Sequence, residues 1–152
     1  TGKLTAGIYP LLQDDTCYFV VADFDDAEWR EDARAFEAAA ADGGVSAALE
    51  ISRSGEGAHA WIFFASATAA RDARRLATAI ISMACARRRM LALSSHDRLF
   101  PSQDTLPRGG FGNLIALPLQ RAPRDPGCSV FVDLEFQPCP RISSDRKKAP
   151  ER

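Results

Sequence analysis

No stretch of apolar residues in this sequence approaches the length that a helix needs to cross a bilayer, so we expect no membrane partner. The four cysteines form no CxxC pair, which argues against zinc and favours reduced, mostly buried thiols in the cytoplasm. The net charge is only −1, which excludes a globally basic nucleic-acid binder but allows a local basic groove. Internal repeats are also absent.

What is present is the composition of an ordinary globular protein, with 46% hydrophobic and 26% charged residues. A chain of 152 residues is long enough for one domain with a sizeable core. We place that domain at residues 1–138. The last stretch, residues 139–152, is polar and basic without periodicity, which predicts a disordered tail or a linker.

The most informative stretch is an apolar run, Cys17 to Ala22, that ends in two carboxylates, Asp23 and Asp25. Residues i and i+2 of a strand point to the same face, so these two side chains would project side by side. Like charges held that close repel each other, and the usual relief is a bound cation. The pattern therefore predicts a divalent-metal site at the end of a strand.

Hydrophobic spacing predicts the order strand, helix, strand, strand, helix, strand, which is the α+β, ferredoxin-like or RRM-like βαββαβ arrangement, here with extra strands on its C-terminal side. The helices are expected at about 27–41, with Asp26 as N-cap, and at about 68–88. The strands are expected at about 17–23, 45–51, 59–64, 90–93, 97–100, 113–117 and 129–132.

This topology makes the first and third strands antiparallel neighbours and puts the edge strand on the other side of the first. Asp23 and Asp25 would then lie beside His59, at the start of the third strand, and beside Asp97, at the start of the edge strand. The glycine-containing loop from Arg53 to Gly57 would lie directly above them. Carboxylates, a histidine and a basic loop therefore converge from separate parts of the chain.

Phosphoryl or nucleotidyl transfer is the chemistry that uses such a set. Two hard cations roughly 4 Å apart can activate an attacking oxygen and stabilise a leaving one, and carboxylate oxygens hold them. A triphosphate brings further negative charge, for which the guanidinium of Arg53, the hydroxyl and backbone N–H of Ser54, the flexible Gly57 and the imidazole of His59 are suited.

These residues resemble the archaeo-eukaryotic primase superfamily of primase-polymerases, whose hallmarks are a DxD-type motif, an SxH-type motif and a later acidic residue. More narrowly, the chain is similar to the primase domain of TOTE conflict systems, in which a primase is joined to helicase and nuclease parts. The resemblance is carried by residues 7–12, 16–19, 23–25, 50–64, 97–104 and 109–120.

The resemblance implies template-directed addition of nucleotides with Mg²⁺ or Mn²⁺, nucleoside triphosphates as substrates and a DNA template or primer-template as partner. It makes Asp23 and Asp25 metal ligands, and Ser54 and His59 phosphate-binding residues. The third acidic ligand is placed at Asp97, with Asp104 as competitor. The chain is short for a complete primase-polymerase, so we interpret it as a catalytic core.

Two positions depart from the family pattern: His96 stands where the family has Tyr, and Cys128 where it has Asn. Neither change removes a group that the mechanism requires.

The loop that ends at Asn113 could be a mere connection, or it could touch a nucleotide or template with its glycine N–H groups. Trp61 and Phe63 are interpreted as core residues rather than as a base-stacking surface, because their strand is apolar on both faces.

Two other functions remain open at this point. A metal-dependent nuclease or phosphodiesterase could use the same carboxylates and histidine to activate water. A non-catalytic RRM-type nucleic-acid-binding module would share the topology, and residues 57–64 faintly resemble the aromatic strand motif of that fold.

Overall fold

A computed structural model of the chain describes residues 5–87 and 98–139. The strands of its main sheet are β2 (Thr16–Phe24), β3 (Ala48–Ile51), β4 (Ala58–Ala69), β5 (Leu99–Phe100) and β7 (Phe131–Val132). The order across this sheet is β5-β2-β4-β3-β7, and each neighbouring pair is antiparallel. A separate two-stranded ribbon pairs β1 (Gly7–Ile8) with β6 (Ile115–Ala116).

The helices are α1 (Trp29–Asp42), α2 (Ala70–Arg87) and the single turn α3 (Arg121–Arg124). The first two pack against one face of the sheet, and their apolar stripes form the main core with it. The predicted stripe of α1 is fully confirmed, since Trp29, Ala33, Phe36 and Ala40 are all buried. Gly43 and Gly44 end this helix as expected.

The opposite face of the sheet carries a second, smaller core. Val21 of β2 and Trp61 of β4 are buried there with Ile115 of β6, whereas Val20 and Ala22 face the helices. This arrangement explains why β2 is apolar on both faces: each face is covered by a different part of the chain. The antiparallel pairing of β2 with β4 and of β2 with β5, expected from the order of elements, is observed.

The start of α1 differs from the prediction. Asp26 is not its N-cap, because the helix begins two residues later and Glu28 occupies the capping position. Asp26 instead stabilises the turn before the helix: its side chain accepts from the N–H of Glu28 at 3.3 Å, and its carbonyl accepts from the N–H of Trp29 at 3.2 Å. A short polar side chain can serve such a turn as readily as a cap.

Strand β4, the third strand of the sequence-based prediction, extends further than predicted, to Ala69 rather than to residue 64. Apart from Thr68, its last five residues are alanine and serine, which have no strong preference for a strand. They are extended because Thr68 and Ala69 pair with Cys17 and Thr16 beyond an irregularity in the ladder. Here the pairing partner, rather than local propensity, decides the conformation.

Several predictions fall on parts of the chain that the structure does not describe. These are the strand at 90–93, the residues His96 and Asp97, and most of the tail at 139–152. Within the described residues, no helix is both long enough and apolar enough to cross a membrane.

Candidate active site

Three side chains form a row across the face of the sheet that lies opposite the helices. Asp23 of β2 pairs directly with His59 of β4, and His59 pairs directly with Glu50 of β3. The Nε2 atom of His59 lies 3.5 Å from Oδ1 of Asp23, and its Nδ1 atom lies 3.1 Å from Oε2 of Glu50. The imidazole is therefore held between two carboxylates, and the predicted meeting of Asp23 with His59 is observed.

Asp25 lies just beyond the end of β2 and half of its side chain is exposed. Arg98 forms an ion pair with this carboxylate, and its guanidinium Nη1 also lies 3.8 Å from Oδ2 of Asp23. The backbone carbonyl of Arg98 accepts from the N–H of Asp23 at 3.1 Å, so the start of the edge strand is fixed beside the carboxylate pair. One arginine thus offsets part of the charge of both aspartates.

The environment of Asp23 raises the pKa of its carboxyl above the ordinary value. Burial is the largest cause, because a desolvated carboxylate is less stable than a solvated one. His59 and Arg98 act in the opposite direction, and the neighbouring charge of Asp25 adds to the increase. A cation bound between the two aspartates would remove the repulsive contribution.

The loop between β3 and β4 lies against the end of β2. A side chain at Gly57 would place its Cβ 2.6 Å from the carbonyl oxygen of Phe24 and 3.4 Å from Cα of Asp25, so only glycine fits there. The N–H of Ser52 donates to the carbonyl of Gly57 at 2.9 Å and closes the loop. The predicted position of this loop beside the carboxylates is observed.

Within that loop, Ser54 and Arg53 are both exposed. The hydroxyl of Ser54 accepts from the N–H of Glu56 at 3.2 Å and lies 3.0 Å from the hydroxyl of Ser52. The guanidinium of Arg53 donates to the hydroxyl of Thr5 at 3.2 Å. These polar groups are accessible to a ligand beside the aspartates.

Asn113 is engaged by the backbone of a neighbouring turn. Its amide donates to the carbonyl of Leu99 at 3.3 Å, and its side-chain oxygen accepts from the N–H of Ser102 at 3.0 Å. The side chain of Asn113 thus links the end of its own loop to the backbone at Leu99 and Ser102, next to β5.

The structure does not bring Asp104 to the carboxylate pair. Asp104 forms an ion pair with Arg74 of α2. The same turn is tied to the beginning of β2, where the N–H of Leu106 donates to Asp15 at 2.7 Å, whereas Asp23 lies near the end of that strand. The other proposed third ligand, Asp97, lies outside the described residues, directly before Arg98.

The described carboxylates fit a hard cation only in part. Asp23 and Asp25 offer oxygen ligands at one strand end, which suits Mg²⁺ or Mn²⁺. Among residues 5–87 and 98–139, however, no group of three or more His, Cys, Asp and Glu side chains is placed to hold a metal ion. Two protein carboxylates and the oxygens of a phosphate substrate are the pattern that Mg²⁺ commonly accepts.

Sequence reasoning missed Glu50 and Arg98 as members of the site. The available signal for Glu50 was an acidic residue inside a short apolar strand, on the face shared with the partner strand's histidine.

The interpretation of Trp61 as a core residue is confirmed, since it is 2% exposed. For Phe63 that interpretation is wrong, since 57% of it is exposed where the sheet face is left uncovered.

Comparison with known families identifies one match. The family model described as the archaeo-eukaryotic primase domain of TOTE conflict systems matches residues 1–144. No curated protein matches the chain.

Proposed function

The chain belongs to the archaeo-eukaryotic primase domain family of TOTE conflict systems, and we propose that it is a template-directed nucleotidyltransferase. The observation that carries this proposal is the row that sets His59 against Asp23, with Asp25 and the loop that ends at Gly57 directly beside it. The antiparallel sheet and its two large helices are proposed to be the ferredoxin-like core of such a domain.

In the proposed reaction the 3′-hydroxyl of a primer attacks the α-phosphorus of a nucleoside triphosphate and a new phosphodiester bond forms. The anhydride bond between the α- and β-phosphates breaks, pyrophosphate leaves, and the hydroxyl proton is released to solvent. Asp23 and Asp25, with Asp97 as the proposed third ligand, would hold Mg²⁺ or Mn²⁺, and such an ion would supply activation of the attacking oxygen and stabilisation of the leaving one. The side chains of Ser54, Arg53 and His59 would bind the phosphate oxygens. Asn113 would steady the adjacent turn near the nucleotide.

The exposure of Phe63 favours contact with nucleic acid on the same sheet face. Its ring is stacked on that of Trp61, with centroids 5.7 Å apart and an interplanar angle of 11°. An exposed aromatic ring on a sheet can stack with an unpaired base. This contact is compatible with a DNA template in the main proposal, and also with a non-catalytic RNA-binding module.

The test is incorporation of labelled nucleoside triphosphates on a primer-template with Mn²⁺. Asp23→Ala and Asp25→Ala should each reduce incorporation by at least about a thousandfold, since a metal ligand contributes several kcal/mol to the transition state. Asp72→Ala, which removes an exposed carboxylate from α2, is the matched control and should extend primers at the wild-type rate.

Other outcomes separate the alternatives. Shortening of the strand without extension would replace the polymerase proposal with a nuclease. RNA binding that persists with a chelator and in Asp23→Ala, without any incorporation, would favour the non-catalytic module. We further propose the cytoplasm as the location, and helicase and nuclease modules of the same system as partners.

A further inference from the structure

Glu50 is a buried carboxylate that the proposed reaction does not use. It is 2% exposed in the middle of the sheet, where an ionised group is costly unless hydrogen bonds satisfy it. Its Oε2 atom accepts from Nε1 of Trp61 at 2.7 Å and lies 3.1 Å from Nδ1 of His59, and its Oε1 atom accepts from the hydroxyl of Ser129 at 3.3 Å. Both carboxylate oxygens therefore have partners.

These contacts fix the orientation of the His59 ring. A carboxylate oxygen accepts hydrogen bonds, so the contact with Glu50 places a hydrogen on Nδ1 and leaves the Nε2 edge of the ring for a ligand. Because phosphate oxygens also only accept, Nε2 must carry a hydrogen when it binds one. That edge points to Asp23, at 3.5 Å. Trp61 meets the imidazole edge-on, at an interplanar angle of 81°, and Trp61 is itself held by Glu50.

We propose that Glu50 is a positioning residue, which acts through His59 to direct Nε2 toward the phosphates of a nucleoside triphosphate. This inference rests on the phosphate-binding role of His59 in the proposed function. A buried carboxylate contributes little to net stability compared with an apolar residue of similar size, so its hydrogen bond to His59 gives it a functional reason to be there.

Two substitutions separate the hydrogen bond from the filling of space. Glu50→Gln keeps an oxygen at the position that accepts from Trp61 and His59, and its amide can donate to the hydroxyl of Ser129. Glu50→Leu fills similar space without any acceptor. Circular dichroism and thermal melting of each variant establish that it is folded before binding is measured.

We expect Glu50→Leu to raise the KM for nucleoside triphosphate, and its dissociation constant by calorimetry with Mn²⁺, about tenfold, which is typical for loss of a group that orients a ligand. Glu50→Gln should recover most of this loss. Neither variant should change the affinity for primer-template DNA. A tenfold loss of DNA affinity in folded Glu50→Leu, or wild-type triphosphate binding by it, would overturn the proposal.

A double-mutant comparison tests whether Glu50 acts through His59. His59→Ala and the combined His59→Ala/Glu50→Leu variant should bind triphosphate equally weakly, because the second change has nothing left to position. If the two losses multiply, Glu50 has a separate, purely structural effect and the proposal is wrong.

The ring orientation can also be measured without any activity, so that failure of the proposed function is distinguishable. The chain has two histidines, and His96→Ala leaves only the signals of His59 in a ¹⁵N imidazole spectrum. We expect hydrogen on Nδ1 in the parent and in Glu50→Gln, and a shift to the other nitrogen in Glu50→Leu. An unchanged spectrum in Glu50→Leu would overturn the positioning role, even if the protein is an active enzyme. If the hydrogen shifts in Glu50→Leu but the protein incorporates no nucleotide, the positioning role stands and the proposed function is wrong.

Discussion

At the scale of single residues, the role we propose for Asp23 in function is opposed by its effect on stability. The same burial that places it against His59 also raises the pKa of its carboxyl. For an acid, a raised pKa in the folded state means that the fold is favoured by protonation and loses stability as the group ionises. The side chain that we propose as a metal ligand therefore destabilises the metal-free fold at neutral pH.

Asp23→Asn replaces this carboxyl with an uncharged amide of similar size, and it should therefore stabilise the metal-free fold at neutral pH. The stabilisation from protonated Asp23 is fully present below its ordinary pKa of 3.8 and is lost as the pH rises through the higher folded value. We expect metal-free Asp23→Asn to melt at a higher temperature than the parent at pH 7, with a smaller difference as the pH falls toward 3.8. Thermal melts in chelator at several pH values measure this. A lower melting temperature for Asp23→Asn at pH 7 would contradict it.

In the proposed site, Arg98 would compete with a metal ion for the carboxylates of Asp23 and Asp25. Its ion pair with Asp25 is exposed, and such pairs contribute up to about 1 kcal/mol, so its loss should tighten Mn²⁺ binding by up to about fivefold. Arg98→Ala is compared with Arg75→Ala, which removes an exposed cation paired with Asp72 on α2. Electron paramagnetic resonance of free Mn²⁺ gives the affinities, and weaker binding by Arg98→Ala alone would mean that Arg98 supports the ion.

A site residue can be predicted from the sequence when it breaks a local hydrophobic pattern, and not when its position depends on how strands pair. Asp23 and Asp25 interrupt an apolar run with two like charges, and His59 begins the strand that pairs with it. Glu50 depends on the register of two strands that the sequence does not specify, because a shift by one residue would turn its side chain to the helix face.

At the scale of elements, periodicity predicts the two large helices and the central strands because each buries a defined face. It fails where neighbours decide the outcome, as at the end of β4 and in the segment after β7. There, Phe136 packs edge-on against Trp29 of α1 at 5.1 Å, and the carbonyl of Leu134 accepts from Nε of Arg34 at 2.7 Å. This segment is held by α1 without a regular pattern of its own.

We expect that contact to contribute substantially to stability. Phe136 is 9% exposed, and Phe136→Ala should cost about 3 kcal/mol, which lowers the melting temperature of a domain of this size by roughly 6–12 °C. Leu134→Ala is the matched control, since its side chain is 46% exposed and only its backbone carbonyl contacts Arg34. Equal effects of the two substitutions on chemical denaturation would show that the segment is not docked through Phe136.

At the scale of the whole molecule, the order of elements predicts which strands become neighbours, and so which distant residues meet. This inference needs only the order of helices and strands, not their ends, so errors of a few residues at α1 and β4 leave it intact. It cannot supply side-chain orientation, because Arg98 is directed by its ion pair with Asp25 and Trp61 by its hydrogen bond to Glu50.

The fold and the proposed metal site are linked, since an ion that binds only the folded state stabilises the entire domain. At a free Mn²⁺ concentration about 100 times the dissociation constant, the gain is about 2.7 kcal/mol, or roughly 5–11 °C in melting temperature for a domain of this size. The increase should disappear in Asp23→Asn, because that variant lacks both the ligand charge and the repulsion from Asp25 that an ion relieves. It should persist in Asp104→Asn, whose carboxylate the structure places with Arg74 instead. If the Mn²⁺-dependent increase in melting temperature were lost in Asp104→Asn but kept in Asp23→Asn, the ion would bind at Asp104 and not at the row of Asp23 and His59.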